Sequence, residues 1–183
     1  AIVWAWELVT DVFGLDPGRL WVSIYATDDE AFDIWRGDVA VAPERIVRLE
    51  DNWWPAGGGL GPCGPDSELI YDLGEDVGCR EPECSPGCPR QTADGQACGR
   101  FQEFWNLVFQ QYNREPFDSA QGRPDGSLTP LPSKNIDTGM GFERTLAIIQ
   151  GKKSVFETDI FSPVVEAVEA EGRGQRDEAT VAA

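Results

Sequence analysis

The chain has 183 residues, 41% of them hydrophobic, with seven Trp and nine Phe among them, enough apolar material for one buried core and too much for a disordered segment. Fifteen Lys and Arg stand against 32 Asp and Glu, a formal net charge of −17, and such a surface repels phosphate backbones and anionic membranes. No run of residues reaches the roughly 18 apolar positions of a membrane span, and no signal-peptide pattern opens the chain.

In chain order, residues Ile2 to Phe13 read as a helix with Trp4, Leu8 and Val12 on one face, stopped by Gly14. Leu20 to Ala26 (LWVSIYA) is rich in β-formers and reads as a strand. Asp28 and Asp29 are placed to cap a helix over Glu30 to Arg36, and Ile46 to Leu49 is a short apolar strand. A Gly- and Pro-rich loop is expected from Pro55 to Pro65, then a strand from Glu68 to Asp72.

Phe101 to Asn113 is the strongest strand signal. Trp105, Leu107 and Phe109 alternate with Asn106, Val108 and Gln110, and the apolar character of both faces predicts a central position. Glu115 to Thr129 reads as a polar loop, Pro130 to Ile136 as a run leading into a Gly-rich turn, and Phe142 to Gln150 as a helix. A last helix starts near Pro163. Strands outnumber βαβ patterns, so the expected fold class is α+β, an antiparallel β-sheet flanked by helices with a Cys-rich loop excursion. The missing Met at position 1, the helical start and the uncapped tail suggest a piece of a longer chain.

The excursion is Gly74 to Gly99, and it carries Cys79, Cys84, Cys88 and Cys98 in C-x4-C-x3-C-x9-C spacing. Four thiolates complete a tetrahedral zinc site, and a coreless loop gains structure from such a clip. Reduced thiols, or disulfides in a secreted protein, are the alternatives at this point. With no His in the chain, a mixed Cys/His site is excluded.

Other segments carry chemistry. In DNWWPAGGGLGPCGPDSELIYD (51–72), Gly and Pro allow backbone to approach a ligand beside the flat walls of Trp53 and Trp54. In EFWNLVFQQYNR (103–114), the polar Asn106 needs a partner, either a backbone group or a ligand carboxylate or carbonyl. In PLPSKNIDTGMGFER (130–144), Asp137 can pair with an ammonium or cap the following helix. Gly139 and Gly141 leave space, and Arg144 can clamp phosphate or stack on adenine.

Taken in order with FETDIF (156–161), these segments resemble the alanyl-tRNA synthetases, class II enzymes whose motifs run DNFW or NWW with GPCGP, EIWNxVFxQ, PLPxxxVDTGMGxER and a YxTDxF-like stretch. The resemblance covers about residues 4 to 163. It implies the class II catalytic-domain fold over 1–163, with the Cys-rich insertion at 74–99, and the start of a following helical region at 164–183. It implies ATP-dependent activation of alanine and transfer to the 3′ end of tRNA(Ala), with Mg²⁺ accompanying ATP, in the cytoplasm, and tRNA held mainly by regions outside this segment. The same resemblance assigns Trp54, Asn106, Val108, Asp137 and Gly139 to the alanine pocket, and Arg144 and Gly141 to ATP. Asp137 and Arg144 are the residues expected to matter most for catalysis.

The chain departs from the family pattern in three places: one extra residue between Trp54 and Gly61, Asp66 where many members have a second Cys, and a longer loop over 115–125. The family's motif 1 and motif 2 arginine are expected upstream of Ala1. Two further readings share some of these features: a ligase acting on a free amino acid or carrier protein, and a non-catalytic zinc-stabilised interaction module.

Overall fold

A computed structural model describes residues 1–55, 59–115 and 126–181, with side chains given as far as Gly172. The longer loops expected at 55–60 and 115–125 fall largely outside these residues. The chain divides into two compact units, Ala1–Gly141 and Phe142–Ala183.

The first unit is a mixed sheet with helices on one face. Its strands are β1 (Leu20–Tyr25), β2 (Ile46–Leu49), β3 (Trp53–Trp54), β4 (Gly61–Asp72), β5 (Phe101–Arg114) and β6 (Leu128–Met140). They are ordered β2-β1-β4-β5-β6, with β3 pairing β4 off this path. All pairings are antiparallel except β1 with β2, which is parallel. β1, β4 and β5 are the interior strands, as the two-sided apolar pattern of β5 predicts for that strand, and Leu107 and Val108, on opposite faces, are both buried.

Helix α1 (Ile2–Glu7) runs on into a wider π-type turn over Leu8–Val12. It buries Ile2, Ala5 and Val9, whereas Trp4 is 75% exposed and Val12 is 70% exposed. The expected Trp4/Leu8/Val12 face is therefore the wrong one: small and branched residues at i, i+3 and i+7 make the buried stripe. Trp6 instead meets the buried Trp35 edge-on, 5.9 Å between ring centroids. Helix α2 (Asp29–Asp33) is capped by Asp28, which accepts from the Ala31 N–H at 3.0 Å. Trp35 follows it and donates from Nε1 to Ser67 Oγ on β4 (2.8 Å), tying this layer to the sheet.

Two sequence expectations need correction. The stretch GPCGP is not a loop but the first half of β4. Pro65 fits there because the register with β5 shifts between Cys63 and Asp66, while Pro62 stands opposite Asn113 near the start of the strand. Gly64 is required for a different reason: a Cβ at this position would lie 2.1 Å from the Phe109 carbonyl oxygen of β5. Likewise DTGMG is not a turn, because β6 continues through it to Met140, paired with β5 from Trp105 to Arg114.

The second unit holds α3 (Phe142–Ile149), which buries Thr145, Ala147 and Ile148, and α4 (Ser162–Val181). Among the described residues no helix is long and apolar enough to cross a membrane.

Candidate active site

The sheet face away from α1 and α2 carries an unusual amount of polar chemistry. Strand pairing aligns Ser23 of β1, Glu68 of β4, Asn106 of β5 and Gly139 of β6 in one row. Beside it, Asp66, Val108 and Asp137 form a second row. Side chains two apart on a strand share a face, so both rows stand on the same side. Asn106, Val108, Asp137 and Gly139, singled out in the sequence, are thus neighbours.

Gly139 leaves the surface open, since a Cβ there would meet nothing within 4 Å. Asp137 is exposed inside β6, where its Oδ1 accepts from the Thr138 N–H at 2.8 Å. It is not a helix cap, because α3 begins only at Phe142. Val108 is buried and gives this face an apolar floor.

At one end, the ring of Trp53 stacks on Tyr112 (5.9 Å, 23°) and meets Tyr25 edge-on (5.3 Å). Trp54, the tryptophan the resemblance assigns to the pocket, is half-buried and pairs with Gly64. Gly141 donates its N–H to the Phe104 carbonyl at 2.8 Å. Arg144 belongs to the second unit, where it stands exposed in the first turn of α3.

Sequence reasoning missed the polar floor supplied by β4. Asp66 is 3% exposed. Its backbone N–H donates to the Asn52 carbonyl at 3.0 Å, and Val108, two residues along β5 from Asn106, stands opposite it. Burial is the largest influence on Asp66 and raises it; Asn106 pulls it back, and the like charges of Glu68, Glu103 and Asp51 raise it again, to about 7. Burial also raises Glu68, although Ser23 Oγ donates to its Oε2 at 2.8 Å. Asn52 closes the network by donating to Ser23 Oγ at 3.0 Å.

Three buried acceptors on this face, Asp66 Oδ1, Asn106 Oδ1 and Asn52 Oδ1, have no hydrogen-bond partner, which is costly unless a donor arrives. The signal was present in the sequence as D-S-E at the head of an apolar run. A strand taken to start at Glu68 leaves Asp66 in a loop.

A separate cavity of about 380 Å³ lies on the opposite face, lined among others by Phe109, Ile136, Ile2 and Ile34. Its lining mixes these apolar side chains with Asp28, Glu30, Asp38 and Lys134 and holds none of the site residues singled out in the sequence, so the polar face is the better candidate site.

Between β4 and β5 the four cysteines of the excursion converge, with all Sγ atoms within 4.8 Å of one another, a group that could hold a metal ion. Cys79–Cys88 are 3.9 Å apart and Cys84–Cys98 3.5 Å, close to the roughly 3.8 Å edge of a tetrahedron with 2.3 Å Zn–S bonds. Burial pushes the Cys84 thiol up. It would do the same to Cys98, but backbone N–H groups of Arg100 and Cys79 hold that thiol down, at about 7. At the base of the loop, Arg100 forks onto Asp72 with two 2.8 Å bonds. Burial alone would raise Asp72, but Arg100, the Gly74 N–H and Arg19 bring it below the usual carboxylate range.

The family model for class II (A) tRNA synthetases matches residues 1–182. Curated relatives include the alanine–tRNA ligase of Thermoanaerobacter sp. (strain X514), 49% identical over 170 residues, covering 92% of this chain and 17% of that protein. The alanine–tRNA ligase of Petrotoga mobilis is 44% identical over 172 residues (92% of this chain, 18% of that protein), and that of Desulfitobacterium hafniense (strain Y51) 48% over 168 (92% and 17%). The chain thus spans less than a fifth of the length of these relatives.

Proposed function

The chain belongs to the class II (A) tRNA synthetase family, and from that premise we propose that it forms the amino-acid-binding part of an alanine–tRNA ligase. In the full-length polypeptide, alanine and ATP give alanyl-adenylate and pyrophosphate, and the alanyl group then passes to the 3′ end of tRNA(Ala). The observation that carries this reading is the pair of rows that sets Asn106, Val108, Asp137 and Gly139 side by side on an open face.

Each residue has a role in this reading. Asp137 pairs with the α-ammonium of alanine. Val108 and Trp54 line the space for a methyl group, and Gly139 leaves room for the backbone of the substrate. Gly141 and Arg144 serve ATP, the guanidinium by binding phosphate oxygens. Mg²⁺ bound with ATP supplies further charge neutralisation. The reaction is attack of the alanine carboxylate on the α-phosphorus, so the protein acts by positioning and charge stabilisation. The attacking carboxylate is already ionised and needs no general base, consistent with a chain that has no His. Contacts to tRNA lie mainly outside this segment, and the site of action is the cytoplasm.

We assign zinc to Cys79, Cys84, Cys88 and Cys98. The Sγ separations and the set of four thiol donors support it. Bound there, zinc would close the loop structurally and leave no open position for substrate.

The test is alanine-dependent ATP–pyrophosphate exchange and charging of tRNA(Ala) by the full-length polypeptide. Exchange with alanine followed by transfer to tRNA is the expected result. Exchange without transfer would point to a carrier-type ligase, and activity with neither would remove the reading.

A further inference from the structure

The cysteine excursion is rooted at one end of the sheet and touches it again at the other. It leaves β4 after Asp72 and rejoins the sheet at Phe101, and Leu73 donates its N–H to the Arg100 carbonyl at 2.8 Å to close the root. That root lies beside the start of β1, since Leu20 pairs with Tyr71. Gly87, midway along the excursion, nevertheless lies against Leu49 at the end of β2, opposite Tyr25. A Cβ on Gly87 would stand 3.2 Å from Leu49 Cδ2, and the φ of +73° there favours glycine. Pro86 beside it is buried, although Ser85 and Gly87 on either side are exposed. The excursion therefore runs the length of β1, about 17 Å at the usual strand rise.

It does so on the polar face. Ser23, whose hydroxyl donates to Glu68, is two residues from Tyr25, and Tyr25 is paired with Leu49, so Leu49 projects to the same side. Its neighbour Arg48 points the other way, to Asp29 of α2 at 2.7 Å. Leu49 thus stands between the excursion and Tyr25. Tyr25 in turn meets Trp53 edge-on at 5.3 Å, one residue before Trp54.

We propose that the excursion is a metal-held wall of the candidate site: zinc on the four cysteines sets the Pro86–Gly87 corner against Leu49 and so fixes the Tyr25–Trp53 end of the polar face. The proposal rests on the zinc and alanine readings above and gives the metal a task beyond closing its own loop. Cys84 and Cys88 flank the corner, so a metal on their thiolates holds the backbone that makes the contact. Without it, one leucine against a Pro–Gly corner cannot offset the conformational entropy of so long a loop.

The experiment follows deuterium uptake by the full-length polypeptide before and after zinc is removed with a chelator. The KM for alanine and for ATP is measured in parallel by ATP–pyrophosphate exchange. Zinc removal should speed uptake about tenfold or more over β2 as well as over the excursion. It should raise the alanine KM about fivefold and leave the ATP KM level. Leu49→Ala keeps all four cysteines, so it should retain zinc, take up deuterium fast in β2 from the start and show no further response there to the chelator. Faster uptake confined to residues 74–99, or an alanine KM that ignores zinc in active enzyme, overturns the proposal even where the variant fails to fold. A folded Leu49→Ala whose β2 still responds to zinc as the wild type does overturns it too. Protein that holds no zinc as purified removes the zinc assignment, and the proposal falls with it. Absence of alanine-dependent exchange removes the alanine reading instead, and deuterium uptake in β2 then decides the wall.

Discussion

Asp137 lies inside β6 with its neighbours Val108 and Gly139 on an open face, and this decides what its substitution does. Asp137→Asn keeps the shape and removes the charge. In the full-length polypeptide it should lower alanine kcat/KM about 30- to 1000-fold and leave ATP affinity unchanged. An unaltered alanine kcat/KM would take Asp137 out of the pocket. Its position was legible in the sequence, but its setting was not: a DTGMG stretch reads as a turn until β5 is there to pair with it. Gly64 makes a second residue-scale case, since a Cβ would press within 2.1 Å of the Phe109 carbonyl. Gly64→Ala should destabilise the protein by about 1 to 3 kcal/mol, read from urea unfolding, because both atoms belong to paired backbone and cannot step aside. Wild-type stability in that variant would mean that β4 and β5 pack less closely than described.

At the scale of elements, the zinc assignment predicts that the excursion between β4 and β5 depends on its four cysteines. Its described residues hold a single isolated bridge, Gln91 to Ala97, and little apolar burial beyond Cys84. We expect one zinc per chain by elemental analysis of protein purified without chelator. Chelation should lower the melting temperature and expose the loop to protease, while Asp72–Arg100 holds its base closed. The pH dependence follows from the ligands: Cys98 is held down at about 7, so its thiolate is lost as pH falls below that value and metal binding weakens on the acid side. Less than about a tenth of an equivalent of zinc, with all thiols titratable, would leave the cluster a set of reduced cysteines. The spacing of the four cysteines announced this element directly. By contrast, the start of β4 was hidden, because Gly and Pro mark loops locally, and only pairing with β3 and β5 makes GPCGP a strand.

For the molecule as a whole, the net charge of −17 sets the expectation toward nucleic acid. The 183-residue chain alone should bind tRNA no better than about 10⁻⁴ M at 0.15 M salt in a gel-shift assay, since it has few cations with which to release counterions. Micromolar binding would show that this segment carries a tRNA contact of its own. The family and most elements were determined by the sequence alone, because each rests on local signals: ordered motifs and alternation along β5. What the sequence left undecided was which residues share a face. Asp66, Glu68 and Ser23 come from strands far apart in the chain and become one polar floor only through the register of β1, β4 and β5. Register is a property of paired strands, set by side-chain packing across the sheet, so only the tertiary structure could decide it.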